Sequence, residues 1–427
     1  MALRFLLALS LLHSVWALWP IPATLSTGNT ALVLSSNFYF DVAVQNAPAD
    51  LHNAVQQAQY YLKNNKLGCL VISRGANDSA VLTNAKSLPS LKLTLSSGAT
   101  VNPIATESVK PLGMRSEEYV LTVPADGSPA TLSANSTLGL YRGLTMFGQM
   151  WYYYGGKTYT LEAPISITDV PAYLVFSRWM WHNIGLSNFP VADLQRTLDA
   201  MSWVKINIFH WHITDNQSFP LEVAQFSQLA TNGAYSADET YSESNVQNLV
   251  QYAAEVRFIE IDTPGHTAII GTTYPEYVTC MDASPWSTYA NEPLAGQLRF
   301  ALPEVVNFIT ALLSSVAKTL PSYYFSTGGD ELNTNCYIND TLTQQQLKSA
   351  NTTLAGALAT FTNSMHSALI AEGKTPVVWE EQDLDLIRRC SCCGQLGISH
   401  RSRTSNYFYL VRMLSFFSIH PFLIPII

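Results

Sequence analysis

The second half of this chain repeats one pattern, in which an apolar, strand-like segment ends in polar side chains and a helical segment follows. The four apolar segments are residues 204–215, 257–266, 323–331 and 375–381. Strands that alternate with helices at intervals of roughly 50 residues predict a (β/α)8 barrel whose active site lies at the carboxyl ends of the strands. A doubly wound open sheet is the alternative, but the chain has no Gly-x-Gly-x-x-Gly motif or phosphate-binding loop to support it.

The first half has a different pattern. Short segments with alternating apolar residues predict strands, and two segments with apolar residues at helical spacing predict helices. The predicted strands are 38–44, 91–95 and 119–123, and the predicted helices are 51–63 and 138–153. We therefore predict an α+β domain over residues 18–169 without catalytic residues, and the barrel over residues 172–410, with the boundary at Pro171.

Length and charge exclude several classes of protein. At 427 residues the chain exceeds the size of a single hydrophobic core, so two domains are expected. Its apolar share of 48% excludes disorder over most of the length. Only 13% of residues are charged and the net charge is −8, which argues against a nucleic-acid partner. A surface that is poor in charge is compatible with a sugar ligand.

The first residues predict export. Residues 1–17 contain one early cation, an apolar run and small residues at the cleavage spacing, which is typical of a secretory signal peptide. The chain is therefore expected outside the cell, or in a lysosome-like or vacuole-like compartment. Apart from the signal peptide, no membrane span is predicted. An anchor within residues 410–427 is the alternative, but Arg412, His420, Pro421 and Pro425 argue against a clean span.

Export also predicts glycans and disulfides. Four sequons are expected to carry glycans, at Asn77, Asn135, Asn339 and Asn351. A fifth sequon, at Asn216, lies at a strand tip where a glycan would obstruct the pocket, so we predict that it is unoccupied. Cys280 and Cys336 are placed to close a disulfide across a loop.

The most informative pair of residues is Asp330-Glu331. It follows an apolar strand and Gly328-Gly329, and glycines let the backbone approach a ligand closely. Like charges raise one another's pKa, so such a pair is costly to bury without a task. A protonated acid beside an ionised carboxylate is the arrangement that glycoside cleavage needs. The alternative is the first turn of a helix, which favours acidic residues.

Histidines at the other strand tips allow two interpretations. His266 can hold a neighbouring carboxylate by a hydrogen bond, with Asp262 as a candidate partner. His210 and His212 lie on one strand face and could form a zinc pair, but no third ligand stands at metal spacing. We therefore predict no metal and no other cofactor.

Several motifs occur in one order along the chain. They are Leu18-Trp-Pro, Arg142-Gly-Leu, His210-Trp-His-Ile-Thr-Asp, Gln217-Ser-Phe-Pro-Leu-Glu, Gly233-Ala-Tyr-Ser, Glu260-Ile-Asp-Thr-Pro-Gly-His-Thr, Gly328-Gly-Asp-Glu and Val377-Val-Trp-Glu-Glu. Together they resemble β-N-acetylhexosaminidases of glycoside hydrolase family 20, in the style of secreted fungal members. The resemblance implies a zincin-like α+β domain without zinc, followed by a catalytic (β/α)8 barrel.

The resemblance also implies a retaining, substrate-assisted mechanism, in which the 2-acetamido oxygen of the substrate attacks the anomeric carbon and no enzyme nucleophile is needed. Glu331 would be the general acid and then the base, and Asp330 would orient the acetamido group. The other implied roles are sugar binding by Arg178, Trp379 and Tyr409, and support of the site by Asp215, Asp262, His266 and His212.

The sequence departs from the family in three places, one of which is a third barrel strand that looks about three residues short between Glu255 and Glu260. Asn183 and Leu186 stand where the family usually has Asp and Arg, and residues 382–427 form a divergent, partly apolar tail with a cluster of three cysteines, Cys390, Cys392 and Cys393. The resemblance thus predicts a barrel that is incomplete at its last strands, and intron read-through or a frame change would explain the tail.

Two classes of function stay open. The first is an exo-acting β-N-acetylhexosaminidase that releases terminal GlcNAc or GalNAc from chitooligosaccharides or glycoconjugates. The second is an inactive or sugar-binding homologue of the same fold. A zinc hydrolase that uses His210 and His212 is a third possibility. The expected partner is an N-acetylhexosamine-terminated oligosaccharide, and a homodimer is left open.

Overall fold

The structure is a computed structural model that describes residues 18–66, 76–110, 114–171, 189–206, 208–252, 256–320 and 322–379. The chain forms two compact units. The first comprises residues 1–178 with 196–208, and the second comprises residues 179–195 with 209–427. The predicted signal peptide, Arg178, Tyr409 and the tail from residue 382 lie outside the described residues.

The first unit is built on a six-stranded mixed sheet. Its strands lie in the order β1-β2-β4-β3-β6-β5, and β1 also pairs with β6. The strands are β1 (Thr24–Val42), β2 (Lys86–Leu95), β3 (Tyr119–Val123), β4 (Ala130–Ala134), β5 (Tyr152–Tyr154) and β6 (Lys157–Asp169). The sheet therefore contains the three strands that alternation predicted.

Helices cover this sheet. They are α1 (Ala49–Asn64), α2 (Ser79–Thr83), α3 (Ile104–Ser108) and α4 (Thr137–Gln149). Leu51 of α1 and Phe147 of α4 enter the same buried cluster as the strand residues Leu91 and Leu132. Ser136 caps α4 by accepting a hydrogen bond from the Gly139 amide at 3.0 Å.

The predicted helix over 138–153 is too long. The helix ends at Gln149, and Tyr152–Tyr154 forms a strand that pairs with β6. Gly155 and Gly156 both have positive φ, at 56° and 84°, as a two-residue hairpin turn requires. The turn therefore draws the tyrosines into the sheet, although their apolar pattern also fits a helix.

One buried cation joins residues 196–208 to the sheet of the first unit. Lys205 is 7% exposed, and its Nζ donates to Tyr119 Oη at 2.9 Å and lies 3.4 Å from Asp169 Oδ2. Burial lowers the pKa of Lys205 to about 8, although the charge of Asp169 opposes the shift. Both partners of Lys205 belong to the sheet of the first unit.

The second unit contains a four-stranded sheet that joins the four predicted strand segments. Its strands are β7 (Ile208–Thr214), β8 (Val256–Ile261), β11 (Tyr324–Ser326) and β12 (Thr375–Val377), in the order β12-β11-β8-β7. The pairs β8–β11 and β11–β12 are parallel. Within these described strands, sheet order follows chain order without reversal, whereas a doubly wound sheet reverses its order at a switch point.

Helices and short pairings connect these strands. The helices are α5 (Val191–Trp203) before β7, and then α6 (Ser227–Gly233), α7 (Glu243–Tyr252), α8 (Trp286–Tyr289), α9 (Pro303–Thr319), α10 (Asn335–Ile338), α11 (Thr341–Ser349) and α12 (Leu354–Ala371). Two short strands, β9 (Val278–Thr279) and β10 (Gln297–Leu298), pair antiparallel within the loop after β8. Among the described residues, no helix is both long and apolar enough to cross a membrane.

Candidate active site

The polar side chains of the second unit come from consecutive strands of its sheet. His210 and His212 lie on β7, Glu260 lies on β8, and Ser326 ends β11. Asp215, Asp262, Asp330-Glu331 and Trp379 follow the carboxyl ends of β7, β8, β11 and β12. Because the carboxyl ends of parallel strands meet at one edge of a sheet, residues far apart in sequence form one cluster.

A chain of three groups reaches the partly exposed side chain of Glu331. His266 Nδ1 lies 3.0 Å from Asp215 Oδ1, and His266 Nε2 lies 3.4 Å from Glu331 Oε2. Burial lowers the pKa of His266, but hydrogen bonds to Asp215 and Glu331 and the charge of Asp262 raise it well above its ordinary value. His266 is therefore cationic between two carboxylates.

Asp215 anchors this chain. Burial would raise the pKa of Asp215, but the hydrogen bond from His266 and the charges of His212 and His266 lower it to about 2. Asp215 is thus ionised at neutral pH and fixes the orientation of the imidazole. The side chain of Glu331 is 31% exposed, against 5% for Asp215, so the chain runs from a buried anion to an accessible carboxyl group.

Asp262 and Asp330 form a second, coupled pair. Burial and the charge of Asp330 raise the pKa of Asp262 well above its ordinary value. Burial also raises the pKa of Asp330, to about 6, although the charge of His266 opposes the shift. Asp262 is therefore the member of the pair that holds a proton more tightly, and Asp330 is the more acidic member. The sequence suggested Asp262 as the partner of His266, but the hydrogen-bonding carboxylates of that ring are Asp215 and Glu331.

The Asp262 carboxyl group has room beside the loop that carries Asp330 because residue 328 is a glycine. The Gly329 amide donates to Asp262 Oδ1 at 3.0 Å. A Cβ added to Gly328 would lie 1.7 Å from the same oxygen, and Gly328 has a φ of +67°. Only glycine provides both the space and the conformation.

Glu331 itself has a left-handed backbone, with a φ of 55°. Such a conformation in a residue with a side chain is strained by about 1 to 3 kcal/mol and is found mainly at functional sites. The next helix begins at Asn335, so Asp330-Glu331 lies in a loop and not in the first turn of a helix. The helix-start alternative for this pair is therefore wrong.

Glu260 is the site residue that sequence reasoning missed. Its side chain is fully buried, and Oε2 lies 2.9 Å from His210 Nε2 while Oε1 lies 3.6 Å from His212 Nδ1. Ser326 also donates to Oε2, and Trp379 Nε1 donates to Oε1 at 3.3 Å. The available signal was the i, i+2 spacing of Glu260 and Asp262, which places both carboxylates on one strand face.

Two groups of three side chains have the ligand types and spacing for a cation. They are His212 with Glu260 and Asp262, and Asp262 with His266 and Asp330, each with ligand atoms within 4.8 Å of one another. The carboxylate oxygens of Glu260 already face ring nitrogens, at 2.9 Å from His210 Nε2 and 3.6 Å from His212 Nδ1. The suggested zinc pair, His210 and His212, directs ring nitrogens at Glu260.

Trp379 lies beside His210, and the predicted disulfide is formed. The Trp379 ring is half-buried and lies 5.9 Å from the His210 ring, and Trp379 N donates to Gly328 O at 3.1 Å. Cys280 and Cys336 form the predicted disulfide, with 5.4 Å between their Cα atoms. The roles of Arg178 and Tyr409 stay predictions, because both residues lie outside the described part of the chain.

The five sequons differ in exposure. Asn77, Asn135, Asn339 and Asn351 are exposed. Asn216 is 4% exposed, its Nδ2 donates to Leu294 O at 3.1 Å, and its Oδ1 accepts from Ala268 N at 2.9 Å. Both ends of the Asn216 amide are therefore used inside the fold, which supports the prediction that this sequon is unoccupied.

The sequence matches two family descriptions. Residues 187–389 match "Glycosyl hydrolase family 20, catalytic domain", and residues 18–150 match "beta-acetyl hexosaminidase like". The two matches coincide with the second and first halves of the chain that the sequence patterns distinguished.

Curated relatives carry related names. A beta-hexosaminidase from Arthroderma benhamiae is 34% identical over 277 residues, which are 63% of this chain and 44% of the relative. Beta-hexosaminidase 1 of Arabidopsis thaliana is 30% identical over 376 residues, which are 85% of this chain and 65% of the relative. A chitooligosaccharidolytic beta-N-acetylglucosaminidase from Bombyx mori is 31% identical over 243 residues, which are 55% and 40% of the two chains. The chain spans less than two thirds of the length of each.

Solved structures share the fold. A chitobiase from Flavobacterium johnsoniae matches with a TM-score of 0.65 and 23% identity, over 85% of this chain and 52% of that one. An exo beta-N-acetylglucosaminidase from Vibrio harveyi, solved with N-acetylglucosamine, matches with a TM-score of 0.62 and 17% identity, over 86% and 55%. With the family matches, these likenesses confirm the predicted α+β domain followed by a (β/α)8 barrel.

Proposed function

Because the chain belongs to glycoside hydrolase family 20, we propose that it is an exo-acting β-N-acetylhexosaminidase. It would release terminal non-reducing GlcNAc or GalNAc from chitooligosaccharides or glycoconjugates. The observation that carries the proposal is that two groups of interacting carboxyl side chains lie together at one edge of the sheet. In the Asp215–His266–Glu331 chain the cationic imidazole lies 3.4 Å from Glu331 Oε2, and beside this chain lies the Asp262–Asp330 pair of buried carboxyl groups.

Glu331 is the proton donor in this proposal. It is more exposed than Asp215 and His266, so its carboxyl group can meet the glycosidic oxygen. Glu331 protonates the leaving oxygen and, as a carboxylate, then removes a proton from the attacking water. His266 remains cationic beside Glu331 and stabilises the carboxylate that forms when Glu331 gives its proton to the leaving oxygen.

Asp330 acts on the substrate's own acetamido group. The acetamido oxygen attacks the anomeric carbon, and the resulting oxazolinium ion places a positive charge on the acetamido nitrogen. An anionic Asp330 can accept the N–H hydrogen bond and stabilise this charge. Since the pKa of Asp330 is about 6, this role requires a pH above about 6. The mechanism proceeds with retention, because the oxazolinium is opened by water from the opposite face.

We also propose the finer properties that the sequence suggested. Trp379 would form a wall of the sugar pocket, and Arg178 and Tyr409 would bind the terminal sugar. Secretion, or delivery to a lysosome-like or vacuole-like compartment, is supported by the disulfide and by the four exposed sequons. Light scattering of the purified protein would distinguish a monomer from a homodimer.

The test is turnover of aryl β-N-acetylglucosaminides and N-acetylgalactosaminides by the full chain. Replacing the general acid, Glu331→Gln, should lower kcat by about 10² to 10⁴-fold for a poor leaving group. The loss should be much smaller for a dinitrophenyl leaving group, which departs without protonation. Glu162→Gln is the matched control, because Glu162 is a buried carboxylate in β6, in the other unit.

Two further outcomes decide between the classes of function. The β anomer should be the first product seen by NMR, as retention requires. If the unmodified chain releases no more aryl product than Glu331→Gln does, the glycosidase proposal fails. Binding of N-acetylglucosamine without turnover would then favour a sugar-binding homologue.

A further inference from the structure

One buried carboxylate contacts side chains from β7 and β11, the strands on either side of its own strand β8, and a side chain just beyond β12. Glu260 extends from β8, and its Oε2 lies 2.9 Å from His210 Nε2 on β7 and accepts a hydrogen bond from Ser326 on β11. Its Oε1 accepts from Trp379 Nε1 at 3.3 Å, just beyond β12. Because the Glu260 side chain is 0% exposed, it cannot contact a substrate itself.

We propose that Glu260 is a positioning residue, which fixes the Trp379 indole against the sugar pocket and couples it to the loop that carries Asp330 and Glu331. This inference rests on the proposed glycosidase function, but the contact between Glu260 and Trp379 can be tested without measuring turnover.

Glu260 fixes Trp379, the proposed wall of the sugar pocket, through a hydrogen bond to the indole. The indole N–H of Trp379 can only donate, so it needs an acceptor such as the Glu260 carboxylate. The main-chain amide of the same residue donates to Gly328 O at 3.1 Å, and the His210 ring lies 5.9 Å from the indole. Trp379 is therefore held at its backbone and at its side chain. A ring held at two points presents a fixed face to the C–H face of a sugar.

Glu260 also acts, through Ser326, on the loop that carries Asp330 and Glu331. The Ser326 hydroxyl donates to Glu260 and accepts from the Gly328 amide at 3.3 Å. A hydroxyl has one proton, so donating it to Glu260 leaves its lone pairs directed at Gly328. Glu260 thereby fixes the beginning of the loop that continues through Gly329 to Asp330.

The charge of Glu260 makes these contacts directional. Burial would raise the pKa of Glu260, but the charges of His210 and His212 and hydrogen bonds from His210 and Ser326 lower it to about 2. Glu260 is then an anion that only accepts hydrogen bonds, with one oxygen for Trp379 and the other for Ser326. An amide at this position would offer one acceptor and one donor in place of two acceptors.

The first experiment uses the indole N–H as a spectroscopic signature. The full chain is labelled with [15N]tryptophan, and the Trp379→Phe variant identifies the Trp379 signal among the nine tryptophans. We expect that signal downfield and slow to exchange with solvent, whereas the half-exposed Trp203 and Trp286 exchange fast. Glu260→Gln should move the Trp379 signal upfield, because a neutral amide is a weaker acceptor than a carboxylate. Glu162→Gln should leave it in place.

The second experiment is a double-mutant cycle on KM for an aryl N-acetylglucosaminide. Glu260→Gln and Trp379→Phe should each raise KM by roughly tenfold, and the double variant should be no worse than the more severe single variant. Glu162→Gln combined with Trp379→Phe should instead show the two effects multiplied. If Glu260 had only a structural role, the KM effects of Glu260→Gln and Trp379→Phe would also multiply, because a loss of stability does not depend on the indole N–H.

If the unmodified chain shows no turnover, the glycosidase proposal fails, and the NMR result alone decides the role of Glu260. A Trp379 signal that does not move in Glu260→Gln overturns the inference. If Glu260→Gln does not fold, the signal of the unmodified chain decides: exchange as fast as that of Trp203 overturns the inference, and slow exchange supports it.

Discussion

Replacing Asp330 with asparagine should stabilise the folded protein at pH 7 while it removes activity. Burial raises the pKa of Asp330 to about 6, whereas an unfolded chain gives aspartate a pKa of about 3.9. The folded state therefore binds this proton more tightly than the unfolded state does. Its contribution to stability is fully present below about pH 4 and is lost as the pH rises through about 6.

The magnitude follows from this difference in pKa. About two pKa units correspond to about 3 kcal/mol at pH 7, which is an upper limit. Because Asp330 is partly open to solvent, screening reduces the expected gain for Asp330→Asn to about 1 to 3 kcal/mol. Activity should fall by about 10² to 10³-fold, since no anion would stabilise the oxazolinium charge.

The assay is urea unfolding of both proteins at pH 4 and pH 7. The variant and the unmodified chain should be nearly equally stable at pH 4, and the variant should be more stable at pH 7. Asp340→Asn is the control of opposite sign, because Asp340 accepts from Arg299 at 3.0 Å. Burial would raise the pKa of Asp340, but hydrogen bonds from Arg299 and Thr343 lower it, so this carboxylate stabilises the fold at pH 7.

Two results would refute the reasoning. If Asp330→Asn is less stable than the unmodified chain at pH 7, the carboxylate makes a net stabilising contact. If the difference in stability is the same at both pH values, the titration of Asp330 is not its cause.

Three further predictions follow from particular contacts. Gly328→Ala should destabilise the protein by more than about 2 kcal/mol and abolish turnover, because the new Cβ would lie 1.7 Å from Asp262 Oδ1; urea unfolding and an aryl glycoside assay measure both effects, and a variant with normal kcat would contradict them. Cys280→Ser with Cys336→Ser opens a loop with a sequence separation of 56 residues. It should lower the free energy of unfolding by about 4 kcal/mol, and a loss below about 1 kcal/mol would show that the bridge is dispensable. Intact-glycopeptide mass spectrometry should find no glycan at Asn216, and a glycosylated peptide there would show that this buried amide is accessible before folding is complete.

The strands and their reactive ends could be predicted from the sequence because both depend on local pattern. The structure has a strand within each of the apolar runs that end at Asp215, Asp262 and Asp330-Glu331. Local pattern was insufficient at residues 150–153, where Gly155 and Gly156 turn the chain into a hairpin. The helical spacing of the preceding residues contained no information about that turn.

The sequence by itself determined which residue types follow each strand, because the alternation of residues within a strand and the residues at its end are properties of contiguous residues. Only the tertiary structure decided which of them meet. His266 pairs with Asp215 and Glu331, and Asp262 pairs with Asp330. Glu260 is fully buried, so it contacts other side chains and does not bind the sugar. The hydrogen-bonding partners lie 50 to 119 residues apart. Such contacts depend on the register between neighbouring strands and on the packing of the loops beyond them, neither of which is contained in any single segment.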